Sequence, residues 1–548
     1  MAIKRYVANS DTTITNAYQA NLTTRGTASN MGRADSLEVF SIYAQESSGS
    51  SELSRILIGF PISEISTDRT NGVLPASGSV NFVLRMFNAV TPNTVPRNFT
   101  LVATAVSGAE PNAGGEISFN WQEGNGIDME NYTDVTRDGV GANWMNMGSS
   151  SIAGLVKWGN QGAPSAGGVY FDEPDKSTFT QTFDIGTEDL EIDITPLVEQ
   201  WVNSAGNVLG TKPNYGIGVH LTASQEVLVL AGDATTAVPA NTAGDKRSYY
   251  DKKFFARSSE FFFKRPVIEA RWDSATKDDR GTFFYSSSLA TGDENLNTLY
   301  LYNYFRGQLR NIPSVGTGKI YVSIFSGSSD NTSPDLTEVI KLVADGTHVR
   351  TGHTHVVTGS YVSKGIYSAS FAMTAASTPL TDAFDVWFSG SKTYANATTA
   401  AKQFHTGTFN PSKISLSPQN PATQYVTSVT NLKPIYHTDE TARFRVFARK
   451  KDWSPTIYTR AVAVVPPSIV ESGSYAVHRV IDGVRAIEFG TGSLLHTQMS
   501  FDASGSYFDL DMGLFEPGYA YALKFAYYNG SIGSWQEQPQ EFKFRVEE

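Results

Sequence analysis

The chain has 548 residues, a formal net charge of −11 and no cysteine, with 40% hydrophobic and 12% aromatic residues. That length exceeds one hydrophobic core and predicts two to four domains, while the absence of cysteine excludes disulfides and thiolate metal sites. A thinly spread acidic charge with no clustered basic face disfavours nucleic-acid binding, and no window approaches the roughly 18 apolar residues of a membrane helix.

The opening MAIKRYVANSDTTIT lacks the apolar core of a signal peptide, so the expectation is a soluble product made in the cytoplasm. From Thr13 to about Trp272 the chain reads as short strands between turn clusters. They include Ser36–Tyr43, Leu53–Phe60, Val80–Phe87 and Phe99–Ala103. Leu190, Ile192 and Ile194 alternate with Glu191 and Asp193, the period of a strand with one buried face. Thr195 then suits an N-cap and Pro196 a first helical position; Leu197, Val198, Trp201 and Val202 share one helical face, with Trp201 as the expected anchor. Ile217, Val219 and Leu221 resume a strand. This pattern predicts an antiparallel sandwich of jelly-roll type over residues 1–275, with that helix as its main helical element.

DSATKDDRGT, residues 273–282, holds five charges in ten residues and no apolar period, as a linker or domain joint would. A second domain, 276–424, follows, with strands at Asn297–Tyr304, Gly318–Phe325, Gly365–Phe371 and Ala383–Phe388. A helix is predicted over Leu336–Ala344 with Asp335 as N-cap, Glu338 at the box position and Gly346 past the end. The proline-bearing stretch LSPQNPATQYVT marks the next joint. A third domain, 425–548, carries strands at Thr441–Arg449, Tyr475–Val480, Arg485–Phe489, Tyr507–Leu510, Ala520–Tyr528 and Glu541–Val546. Both later domains are expected to be immunoglobulin-like β-sandwiches, so the fold class is all-β throughout. Arg449-Lys450-Lys451 reads as a solvated strand end.

Few residues suggest chemistry. His348, His353 and His355 fall within eight positions, and the last two would share a strand face, but a third or fourth metal ligand is not apparent. Asp128 and Glu130, Glu191 and Asp193, and Asp509 and Asp511 have the i, i+2 spacing of paired carboxylates; alternation with apolar neighbours explains them as solvent-side strand residues. Nucleophile elbows, phosphate loops and His-Glu-His metal motifs are missing, and no metal or cofactor is expected. Trp121, Tyr132 and Trp144 lie in Gly/Asn-rich sequence where rings would stack on a sugar face, with Asn125 and Asp128 bonding its hydroxyls. The reading that sequence of this kind favours is that the rings cover the end of the sandwich or meet a subunit.

Several motifs occur in an order similar to that of the DNRLRE family of jelly-roll modules: DTTITNAYQANLTTRGTASNMG, SRILIGFP, WQEGNGIDMENY, GVGANW, DITPLVEQW, NYGIGVHL and FFARSSEF with RPVIEARW. That resemblance implies a jelly roll and an association with carbohydrate binding. The stretch NMGRADSLEVFSIYAQ with SSELSRILIGF, and the ladder of β motifs in the second half, also resemble structural proteins of tailed bacteriophages, marine myophages in particular. This second resemblance implies a non-enzymatic virion component, assembling with itself and with other virion proteins. The alternative is an adhesin recognising host surface glycans.

Overall fold

The computed structural model describes residues 2–43, 51–91, 95–107, 120–129, 141–150, 154–160, 163–210, 214–346, 353–375, 380–390, 402–413, 424–451, 453, 467–530 and 532–548. The chain forms two compact units, Ala2–Asp273 and Ser274–Glu548. Both are nearly all-β, with a few short helices.

In the first unit, Ile3–Val7, Val267–Arg271, Asn81–Met86 and Leu190–Asp193 make one sheet in that order. Thr178–Phe183, Phe99–Ala105, Ile217–Leu221 and Ser51–Gly59 make the second, which Ser36–Tyr43 and Tyr249–Phe255 widen beyond Ser51–Gly59. Along the chain these eight strands visit the sheets in the sequence first, second, first, second, second, first, second, first, and every neighbouring pair is antiparallel. That double Greek-key path is a jelly roll. Alternation explains it. Phe82, Leu84 and Met86 of one sheet and Ile56, Ile58, Leu101, Ile217 and Val219 of the other fill a common core. The opposite face of the second sheet is also covered: Ile14, Leu53 and Leu57 pack under Trp121, Trp144, Trp158 and Tyr215, contributed by the long connections.

Two helices cap this core. The first, α1 (Ile62–Thr70), has no amphipathic signature and buries only Ile62 and Ile65. The second, α2 (Thr195–Asn203), begins one residue earlier than expected: Ile194 takes the cap position, while Thr195 accepts from the Phe82 amide at 2.7 Å. Trp201 is not the anchor. It is half-buried at the edge of the core, and the inward positions go to Leu197, Val198 and, unexpectedly, Glu199. Arg69 of α1 grips both Glu199 oxygens at 2.8 and 2.6 Å, so an ion pair joins the two helices. Burial alone would raise the Glu199 carboxyl, but Arg69 and Ser77 bring it below its ordinary range.

In the second unit, residues 297–409 build one eight-stranded sheet around a core of Leu299, Ile320, Val322, Tyr367, Phe371 and Trp387. The helix expected over Leu336–Ala344 is instead the strand Pro334–Val339 and the short strand Leu342–Val343. Asp335 does act as a local cap, but for a turn, accepting from the Thr337 amide and hydroxyl. Pairing of Leu342 and Val343 with Met373 and Ala372 outweighs the helical period.

Residues 425–547 form two facing sheets. One runs Tyr425–Val429, Thr441–Lys450, Gly505–Asp511, Ser500–Asp502; the other runs Ile435–His437, Phe542–Glu547, Ala520–Asn529, Gly473–Arg479, Arg485–Ile487. This is the strand arrangement of an immunoglobulin-like sandwich. Tyr475 stacks on Phe508 at 4.1 Å in its core. Tyr521 makes the corner bond of such folds, its hydroxyl donating to the Glu516 carbonyl and accepting from the Glu516 amide.

The charged stretch read as a linker is firmly held within this unit from Thr276 onward. Thr276 and Asp278 exchange backbone bonds with Phe501, the Asp279 carboxylate accepts from the Thr298 amide, and Arg280 pairs with Asp385. The charges of Asp279 and Arg280 thus go to specific partners.

Candidate functional site

The residues expected to meet a sugar separate into two groups. Trp121 is 6% exposed and its indole donates to the Tyr215 carbonyl at 2.8 Å; Trp144 is fully buried and donates to the Ala237 carbonyl at 2.9 Å. Neither ring offers a face for stacking, because both fill the apolar layer on the second sheet. This corrects the sugar-stacking role considered for them. Asn125 is exposed and Asp128 half-buried at the surface of the same loop, while Tyr132 lies outside the described residues.

One side chain shapes that loop. The Asn30 amide donates to the carbonyls of Glu123 and Ala142, and its oxygen accepts from the amides of Gly32 and Gly126. The backbones approach so closely that a Cβ on Gly126 would stand 1.8 Å from the Asn30 carbonyl oxygen.

Beside it lies a constellation with no local sequence signal. Glu123 accepts from the Asp11 amide at 2.9 Å and, through both oxygens, from Arg257 at 2.8 Å. The Arg257 amide returns a 2.6 Å bond to the Asp11 carboxyl. Burial pushes the Asp11 carboxyl up to about 7, and the negative charge of Glu123 adds to that shift against the Arg257 amide. Two carboxylates meet here, yet Glu123 is neutralised by a guanidinium and Asp11 is closed off from solvent. The arrangement is a latch between strand ends, without an open position for a substrate.

The carboxylate pairs noted in the sequence do not work as pairs either. Glu191 binds Arg271 while Asp193 accepts from Thr195; Asp509 holds Arg443 while Asp511 caps Gly513. Glu130 lies outside the described residues. Glu269 receives three guanidiniums, from Arg5, Arg85 and Arg271. Burial works to raise it, but these cations hold it well below the usual carboxylate range. His353 and His355 have ring centres 5.9 Å apart, and His348 is outside the described residues. Among the described residues, no three His, Asp or Glu side chains gather as a metal site.

The first unit also contains a half-open cleft of about 460 Å³, with Tyr18, Arg25, Val227, Val229, Asp233 and Lys246 in its lining. Its volume falls in the usual range for small-ligand sites. The walls are fixed. Arg25 lies 4.2 Å over the Tyr18 ring and donates to the carbonyls of Asn16 and Ser51. Asn16 in turn donates to the Ala237 carbonyl on the facing loop and accepts from the Leu53 amide. No sequence signal marked this cleft, since its lining comes from segments about 200 residues apart that only the sheet order brings together.

No protein-family model matches the chain, and no curated protein matches it. Similar solved structures include the native conformation of E. coli alpha-2-macroglobulin, 8% identical over 90% of this chain and 21% of that one, with a TM-score of 0.14. The titin domains z1z2 in complex with telethonin are 11% identical over 46% of this chain and 86% of that one, at 0.12. The chicken CNTN1 FN1-FN3 domains are 9% identical over 55% and 82%, at 0.14. The chain thus spans about a fifth of the E. coli protein, and likenesses at these scores carry no argument; the sandwich assignments rest on strand order alone.

Proposed function

We propose that this chain is a non-catalytic assembly component acting through protein–protein contacts, a structural part of a tailed-phage virion at the tail, neck, baseplate or head surface. The observation that carries the reading is that tight turns hold large aromatic rings out in solvent. Phe261 and Phe262 stand 43% and 49% exposed on a turn of the jelly roll. Tyr304 and Phe305 stand 57% and 52% exposed on a hairpin of the second unit. Rings of this kind gain most when a partner covers them. The carboxylates bound up in ion pairs agree with a contact role. The virion placement itself rests on the sequence resemblance. Mass spectrometry of purified virions tests it, with immunogold microscopy against the C-terminal sandwich giving the place in the particle. A particle without this polypeptide ends the proposal.

The cleft favours a second reading, a carbohydrate-binding adhesin. A glycan array with the full chain tests it, and Thr235→Trp, at the exposed rim, should abolish any signal by filling the cleft. A blank array removes the reading.

A further inference from the structure

We propose that Lys252 and Asn88 become joined by an intramolecular isopeptide bond, a covalent staple between the two sheets of the jelly roll. The backbone sets the approach. Just beyond the strand Asn81–Met86 of the first sheet, Asn88 bridges Phe254 in antiparallel register; the Ala89 amide donates to the Lys253 carbonyl at 3.0 Å and the Phe255 amide to the Phe87 carbonyl at 3.1 Å. Lys252 stands two residues from Phe254 in the strand Tyr249–Phe255 of the second sheet, which makes it the diagonal neighbour of Asn88 on the same face. Its amine donates to the Asn88 side-chain oxygen at 2.7 Å. Two further bonds hold that amine in place, to the carbonyls of Gly186 at 2.9 Å and Glu188 at 2.7 Å. Only glycine fits at 186, where φ is 83° and a Cβ would stand 2.0 Å from the Pro96 carbonyl oxygen.

The surroundings suit the chemistry. Lys252 is buried, its amine 5.0 and 5.1 Å from the ring centres of Phe183 and Phe254, and the three acceptors it meets are neutral. Burial lowers the amine to about 8, against the opposing pull of Asp189, Glu188 and Asp251, which leaves about one amine in ten uncharged at pH 7. That neutral amine is a nucleophile already held against a carboxamide. Asp189 is placed to carry the proton. Its carboxylate accepts from the Asn88 backbone amide at 2.8 Å, and its position is pinned where the Gln181 side chain donates to the Asp189 carbonyl at 2.8 Å. The Lys252 nitrogen forms a bond to the Asn88 side-chain carbonyl carbon and loses one of its two protons to Asp189; the asparagine C–N bond breaks as Asp189 hands that proton to the NH2 group, which leaves as ammonia. One amide replaces another, so no oxidant or second reactant is needed. In a chain without cysteine, the bond closes a loop between residues 164 positions apart, as a disulfide would.

Intact-mass spectrometry of the full chain reads the bond directly. The purified protein is expected to weigh about 17 Da less than its sequence, the mass of one ammonia, and its tryptic digest to contain a branched peptide joining MFNAVTPNTVPR to SYYDKK. Lys252→Arg and Asn88→Ala should each bring the chain back to its own sequence mass. Asp189→Asn should slow linkage by at least about 100-fold, so that this variant, purified when wild type is fully linked, remains at its sequence mass with an unchanged circular dichroism spectrum. Wild type at its sequence mass overturns the inference, as does a mass deficit without the branched peptide, which marks a cyclic imide at another asparagine. An Asp189→Asn chain linked as fully as wild type overturns the role given to Asp189.

Discussion

Arg280 closes both carboxylate oxygens of Asp385 at 2.6 and 2.8 Å, and Trp387 donates a third bond to the same group at 2.6 Å. Asp385 has no exposed surface. Removing the cation alone strands a buried charge, so Arg280→Met should cost about 3–5 kcal/mol in urea unfolding of the second unit. Combining it with Asp385→Leu should recover much of that loss. A double variant as unstable as the single one would locate the cost in packing and not in charge.

The Asp11 latch makes a signed pH prediction. Its carboxyl is raised to about 7 in the folded chain, above its ordinary value of 3.8. The folded state therefore binds this proton more tightly, and its contribution to stability is full below about pH 4 and lost as pH rises through 7. Asp11→Asn keeps an acceptor for the Arg257 amide and removes the titration. Thermal melts of this variant should lie above wild type at pH 8 and show a weaker decline between pH 4 and 7. An unchanged pH profile would refute the shift.

Trp144→Ala should act on stability. Emptying a fully buried indole site costs about 3–5 kcal/mol, and the loss should appear in chemical denaturation with or without any added sugar. A variant as stable as wild type would contradict the packing described.

Gly126→Ala should loosen the Asn30 knot. The new methyl cannot coexist with the Asn30 carbonyl, so overpacking should cost about 1–3 kcal/mol, together with faster hydrogen exchange at the Gly32 and Gly126 amides. Unchanged exchange there would mean that the loop finds another path.

Much of the β architecture was legible because alternation is a local property. Ser36–Tyr43 was predicted with its observed limits, and Leu190–Ile192 buries the expected face. The helix Thr195–Asn203 was legible from its Thr-Pro start and apolar face. Its neighbour α1 was not: ISEISTDRT is polar and β-branched, and it is a helix because Ile62 and Ile65 are buried and Arg69 reaches Glu199. Over Pro334–Val339 the helical period competed with sheet pairing and lost. At the candidate site, residue type was legible and orientation was not. Gly/Asn-rich sequence suggested exposure for Trp121 and Trp144, whereas those loops fold back over a sheet face and turn the indoles inward. Asp11, Glu123 and Arg257 meet only through closure of the jelly roll, which no local pattern encodes.

The pairing of end strands has a mechanical consequence. In the jelly roll Ile3 pairs with Arg271, so tension applied at the ends of that unit opens the ladder from one side, a bond at a time, as a zipper opens. In the C-terminal sandwich Ile435–His437 runs parallel to Arg545–Glu547, and the same tension loads those bonds together along the strand axis. Under stretch the first unit should yield at low force while the parallel clasp resists.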